Sequence, residues 1–291
     1  MKYALFIGCQ IPARVRQYES AAREVLKNLG IEVVDIKQFN CCGYPMRDSD
    51  PESFMLSSAR NIALAGQSGH PMLVLCKCCY GSLKRAEYMM KEDGDLREKI
   101  LGLLSRQGIE YGNGAEINHF LSVLHKKVGV NKIKESIKKP FKNLNIATHY
   151  GCHILRPSKV TQFDDPVKPV IFDELVEITG AKSISWPLKL ECCGSHATGV
   201  NDGLSMILAG KKLDDARRSG ANFITVACPY CHIQFDTVQK MIILDKEDKE
   251  TIGSILYPQL LGLSMGLDYK KLGIDMNRIA ISDISSYVSE G

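Results

Sequence analysis

The chain carries one cysteine series twice. In the first copy Cys9 closes the apolar run ALFIGC, Cys41-Cys42 stands before Gly43, and Cys76 and Cys79 form a CxxC after PMLVLC. In the second, Cys152 closes NIATHYGC, Cys192-Cys193 precedes Gly194, and Cys228 and Cys231 form a CxxC after NFITVAC. The copies are offset by 143 residues at the single cysteine, 151 at the pair and 152 at the CxxC, so one insertion early in the second copy accounts for the difference. Such a duplication restricts the chain to two similar halves, each of which has to bring five thiols to one place.

Disulfides are a poor explanation for the vicinal pairs. Consecutive Cα atoms lie about 3.8 Å apart, whereas bridged cysteines span roughly 4.4 to 6.8 Å. A chain of 291 residues, 45% hydrophobic, also buries ordinary cores without covalent staples. The start MKYALFIGCQ is too short an apolar run for a signal peptide, and no segment approaches the roughly 20 apolar residues of a membrane helix. The expectation is a cytoplasmic protein whose clustered, reduced cysteines do metal or redox work. A net charge of +4 is small for this length and gives no case for nucleic acid.

The apolar runs before the cysteines are short and rich in strand formers. The stretch DPESFMLSSARNIALAGQSG opens on Asp50-Pro51 and closes at Gly69, and NDGLSMILAGKKLDDARRSG has a similar start and finish, so both read as helices. Each half reads as three strand-then-helix units, an α/β fold with a parallel sheet flanked by helices. Loops at the carboxyl ends of such strands gather on one rim, where helix N-termini favour thiolates. The expected boundaries are residues 1–112 for the first half, 113–144 for a helical, lysine-rich connector, and 145–291 for the second half with a C-terminal packing helix within Tyr257–Leu267.

Zinc takes four ligands, and so does a cubane iron-sulfur cluster. Five cysteines per half, two of them adjacent, favour a polynuclear iron centre instead. The eleventh cysteine, Cys78, has Tyr230 as its counterpart and reads as a buried free thiol.

These motifs resemble the CCG-domain, cysteine-rich family. YALFIGCQIPARVRQYE near the start and YPQLLGLSMGLDYKKLGI near the end are similar to the heterodisulfide reductase B subunits of methanogenic archaea. The resemblance implies two pseudo-twofold related Rossmann-like halves holding two noncubane [4Fe-4S] clusters. Cys9, Cys41, Cys42, Cys76 and Cys79 would hold one, and Cys152, Cys192, Cys193, Cys228 and Cys231 the other. It also implies a small-molecule substrate, the coenzyme M/coenzyme B heterodisulfide, reduced to two thiols. Splitting a disulfide takes two electrons and such a cluster passes one, so a facing pair suits the reaction. Because the chain lacks a ferredoxin run, a GxGxxG loop and a P-loop, its electrons have to come from elsewhere. The resemblance implies as partners the ferredoxin-like and flavin-containing subunits of heterodisulfide reductase, with a hydrogenase or formate dehydrogenase in a larger complex.

Residues flanking the cysteines differ between the halves. His153, His196 and His232 follow second-half cysteines and are candidates for protonating a departing thiolate or hydrogen-bonding sulfur. Arg14 and Arg156 follow Cys9 and Cys152 closely and suit the anionic groups of the coenzymes, with Lys77, Lys84, Lys211 and Lys212 as weaker candidates. Two other readings use the same cysteines: an iron-sulfur electron-transfer subunit of a lactate or glycolate oxidase-like complex, and a structural zinc protein.

Overall fold

The computed structural model describes residues 1–246 and 250–289. Two four-stranded sheets share one plan. Strands β1 (Lys2–Phe6), β2 (Glu32–Val34), β3 (Met72–Val74) and β4 (Ile117–His119) lie in the order β2-β1-β3-β4, and β5 (Asn145–His149), β6 (Lys182–Ser183), β7 (Phe223–Val226) and β8 (Gly253–Leu256) in the order β6-β5-β7-β8. Every pairing is parallel, as the alternation of apolar runs and helices predicts. The central pairs deliver the cysteines. Leu5 aligns with Leu73 and Phe6 with Val74, so the chains leading to Cys9 and Cys76 leave neighbouring strand ends. His149 beside Val226 does the same for Cys152 and Cys228.

Helix limits follow the capping chemistry. Asp50 accepts the Ser53 amide at 3.0 Å to open Pro51–Gln67, and Asn201 accepts that of Leu204 at 2.9 Å to open Asp202–Arg218.

The fourth strand of each sheet departs from the three-unit reading. β4 is three residues with Asn118 and His119 among them, too short for a period to show, and it extends the first sheet past residue 112 into the stretch assigned to the connector. β8 runs straight into the helix Tyr257–Ser264, so its apolar residues merge with those of the helix in the sequence. The lysine-rich stretch is helical from Val123 to Glu135, a π-helical turn over Val123–Gly129 followed by α-helix, with Lys132 and Lys134 exposed and Ile133 buried as its anchor.

One large apolar core runs through both halves, with a small satellite of Ala209, Val238 and Ile242. Helix Tyr257–Ser264, from the second half, packs on Arg16–Asn28 of the first. Leu260 and Leu261 are fully buried there, each contributing about 1.5 to 3 kcal/mol. The halves are therefore held in a fixed relation, which sets the distance between their cysteines.

Candidate metal centres

Within each half the five thiols lie close enough to perturb one another in series. Cys41 contacts Cys9 and Cys42, Cys42 contacts Cys79, and Cys79 contacts Cys76. The second half repeats the order: Cys192 contacts Cys152 and Cys193, Cys193 contacts Cys231, and Cys231 contacts Cys228. The backbone makes room for this. Gly8, at φ 69°, carries the chain into Cys9, and a Cβ there would stand 2.8 Å from the Cys79 Sγ. Gly43 and Gly194 turn the two CCG loops at φ 81° and 86°, and a side chain on either would strike the backbone oxygen of Phe54 or Ser205. Cys76 and Cys228 each cap a helix, Lys77–Glu92 and Pro229–Ile233, whose N-termini face the thiols.

The two series meet. The Sγ atoms of Cys76 and Cys228 are 4.0 Å apart, and the residues inside each CxxC cross to the other half. Pro229 and Tyr230 wall the first pocket, lined by Cys9, Cys41, Cys42, Cys76 and Cys79. Lys77 and Cys78 wall the second, with Cys152, Cys193, Cys228 and Cys231. Cys192 stands beside this pocket, grouped with Cys152 and His196.

These residues fit an iron-sulfur centre. All eleven cysteines are free thiols, and soft sulfur donors select such clusters or zinc. Their crowding makes ionisation uneven: the hydrogen bond with Cys41 pushes Cys9 and Cys42 up, while Cys41 itself, hydrogen-bonded by Cys42 and Cys9, is held down. A multiply charged cation removes that conflict. Two buried ring nitrogens, Nδ1 and Nε2 of His149, have no hydrogen-bond partner, and His149 groups with Cys193 and Cys231 within 4.8 Å.

Cys78 is buried as expected, yet it is no isolated core thiol. It groups with Cys76 and Cys228 within 4.8 Å and stands 3.5 Å from Nδ1 of His153. His153 and His196 both reach the second pocket, at 3.8 and 4.0 Å from the Cys152 Sγ. Tyr44, from the first half, hydrogen-bonds Nδ1 of His196 at 2.6 Å. His232 is placed elsewhere, buried between Gln17 and Ser254. Burial lowers His153 to about 4, with His196 and Arg47 acting in the same direction.

Arg156 lines a small pocket with Tyr44, Arg47, Cys78, Ser82, Arg85 and His153. The Ser82 hydroxyl there is buried and lacks a partner, and Arg47 pairs with Asp48 at 3.0 Å. Arg47 and Arg85 carried no sequence signal, because they meet Arg156 only when the halves pack. Arg14 lies exposed at the end of Gln10–Arg14, outside both thiol pockets and the arginine pocket. Lys84 pairs with Glu87, and Lys211 lines an outer groove beside Ile207. Lys77 and Lys212 instead turn inward, 2% and 1% exposed. Burial lowers each to about 8, against the neighbouring cysteines, which raise them.

Fold and thiols together define a duplicated, cysteine-rich α/β protein equipped to hold metal in each half. The chain belongs to the CCG cysteine-rich domain family, which matches it over residues 3–84 and 146–236, one copy per half. It is 37% identical to the B subunit of the Ferredoxin/F(420)H(2)-dependent CoB-CoM heterodisulfide reductase of Methanosarcina acetivorans, over 96% of this chain and 94% of that protein. It is 30% identical, over 96% of this chain and 97% of that protein, to the 8-methylmenaquinol:fumarate reductase membrane anchor subunit of Wolinella succinogenes. A hypothetical protein from Helicobacter pylori shares the fold at a TM-score of 0.77 and 16% identity, over 97% of this chain and 52% of that one. Among the described residues no helix is long and apolar enough to cross a membrane.

Proposed function

We propose that this chain is the catalytic subunit that reduces the coenzyme M/coenzyme B heterodisulfide to two thiols, with two noncubane [4Fe-4S] clusters as its cofactors. Cys9, Cys41, Cys42, Cys76 and Cys79 hold one; Cys152, Cys192, Cys193, Cys228 and Cys231 hold the other. The observation that carries this reading is the 4.0 Å contact between Cys76 and Cys228, where two matched thiol series meet. When bound, the clusters supply the two electrons that a disulfide requires, one from each.

The side chains around them bind and orient. Arg47, Arg85 and Arg156 offer guanidinium groups to a sulfonate, phosphate or carboxylate on the substrate. His153, neutral at neutral pH because its value lies near 4, gives one ring N–H to sulfur, while Tyr44 fixes the orientation of His196. Electrons arrive from the ferredoxin-like subunit of the complex, with its flavin-containing partner and a hydrogenase or formate dehydrogenase behind it.

Alanine at Arg85 or Arg156 is expected to raise KM for the disulfide about tenfold, the lower end of the range for a hydrogen bond to a charged group, with kcat and the visible spectrum unchanged. Arg14→Ala is expected to leave KM as it is. Steady-state assays with reduced viologen check both.

The same assay tests the function. Anaerobically prepared protein containing iron and acid-labile sulfide should form both thiols from the disulfide. Inertness with both centres assembled would favour a second reading, electron transfer without disulfide chemistry, which the fumarate reductase relative supports. Zinc without sulfide would leave only a structural role.

A further inference from the structure

The two thiol series match, but their surroundings do not. Phe6 ends β1 three residues before Cys9, and His149 ends β5 three residues before Cys152, so an imidazole in the second half replaces a phenyl ring in the first. Asn61 and Lys212 each lie 20 residues beyond the first cysteine of their CCG pair and reach back to the same loop. Asn61 Nδ2 donates to the carbonyls of Cys41 at 3.1 Å and Asn40 at 3.4 Å, while Lys212 Nζ donates to that of Glu191 at 3.1 Å and to Leu188. The residue after the first CxxC cysteine differs too. Lys77 enters the second pocket and donates to the His149 carbonyl at 2.9 Å, whereas its counterpart Pro229 enters the first. All three differences act in one direction.

The first pocket has no cationic side chain in its wall. The second has Lys77 in its wall, and Lys212 lies buried behind the Cys192-Cys193 loop; the hydrogen bonds of both ammonium groups go to backbone carbonyls, and taking a charge out of water costs several kcal/mol. Lys77 shares the pocket wall with Cys78, Cys193, Cys228 and Cys231, while Lys212 is offset by Cys193 and Cys231 together with the Glu191 carboxylate. His149, 0% exposed, leaves a buried N–H unmet, a cost of about 1 to 3 kcal/mol that sulfur at the second site would remove. These buried groups are therefore complementary to a centre carrying more negative charge than its twin.

Building on the two-cluster reading, we infer that the second-half centre is the electron-storing member of the pair: Lys77, Lys212 and His149 stabilise its reduced form, give it the more positive potential, and draw electrons from the first-half centre. Added negative charge is favoured beside fixed cations, and the first pocket, walled by Gln10, Tyr44, Pro229 and Tyr230, holds none.

A redox titration of the isolated iron-loaded chain, followed by electron paramagnetic resonance, tests this. Cys42→Ser and Cys193→Ser, each lacking one centre, assign the transitions. The more positive transition is expected to survive in Cys42→Ser and to be missing in Cys193→Ser. Lys212→Asn and His149→Phe, which install the first-half residues, should each weaken reduction of that centre about tenfold, ~59 mV for one electron, and leave the other unmoved. His149→Gln, which keeps an amide donor, should retain most of the wild-type value and decides the point if phenylalanine prevents assembly. Assignment of the more positive transition to the first half, or equal shifts of both transitions, would overturn the inference. Absence of iron-sulfur signals altogether would instead sink the two-cluster reading itself.

Discussion

Serine in place of Cys193 is expected to halve the iron and acid-labile sulfide of the protein and abolish disulfide reduction, while the far-ultraviolet circular dichroism stays unchanged. Cys193 is 3% exposed and joins Cys192 to Cys231, so its loss opens the second thiol series at its centre. Oxygen is a harder donor than sulfur and a poor substitute for holding iron in a sulfur cluster. The first series shares no residue with this break, so its centre should remain, and Cys42→Ser should give the mirror result. The fold should survive both changes, because the apolar core that joins the halves does not depend on any one thiol. Elemental analysis of the two variants checks the stoichiometry.

Gly81→Ala is expected to destabilise the protein, against the usual sign for glycine to alanine inside a helix. The added Cβ would stand 2.6 Å from the backbone oxygen of His153, where helix Lys77–Glu92 crosses the loop carrying Cys152. Helix and loop cannot both keep their places. Overpacking of this kind costs about 1 to 3 kcal/mol, roughly 2–4 °C of Tm per kcal/mol for a chain of this size. The displacement also widens the approach of Cys78 to His153 and of Cys76 to Cys228. Gly102→Ala is the control: it lies in helix Gly94–Ser105, nothing stands within 4 Å of its added Cβ, and it should stabilise by up to about 1 kcal/mol. Thermal melts of both variants decide whether the docking of the halves depends on that bare crossing.

The repeat made the central strands and both long capped helices readable, because an apolar run ending in cysteine and an Asp-Pro or Asn-Asp start are local signals. β4 and β8 were hidden by the same logic: three residues show no period, and an apolar strand that runs into an apolar helix has no visible boundary. At the site, cysteine spacing pointed to two quintets; the first lines one pocket, and four members of the second line another with Cys192 beside it. Of the residues that distinguish the quintets, Lys77 and Lys212 were legible only as weaker candidates for the anionic groups of the coenzymes, because nothing local in the sequence marks a lysine as buried, and His149 is one polar residue in a strand-forming run. Arg47 and Arg85 meet Arg156 only across the packed halves. Cys78, read as a core thiol because it breaks the repeat, faces the opposite half because the two CxxC helices exchange their inner residues across the junction.

Anomalous diffraction at the iron edge, from crystals of anaerobically prepared protein, tests the paired centres most directly. Two separate iron peaks are expected, one ringed by each cysteine quintet, with Cys76 and Cys228 between them. A single peak shared by both halves, or peaks that lie away from either quintet, would contradict the account.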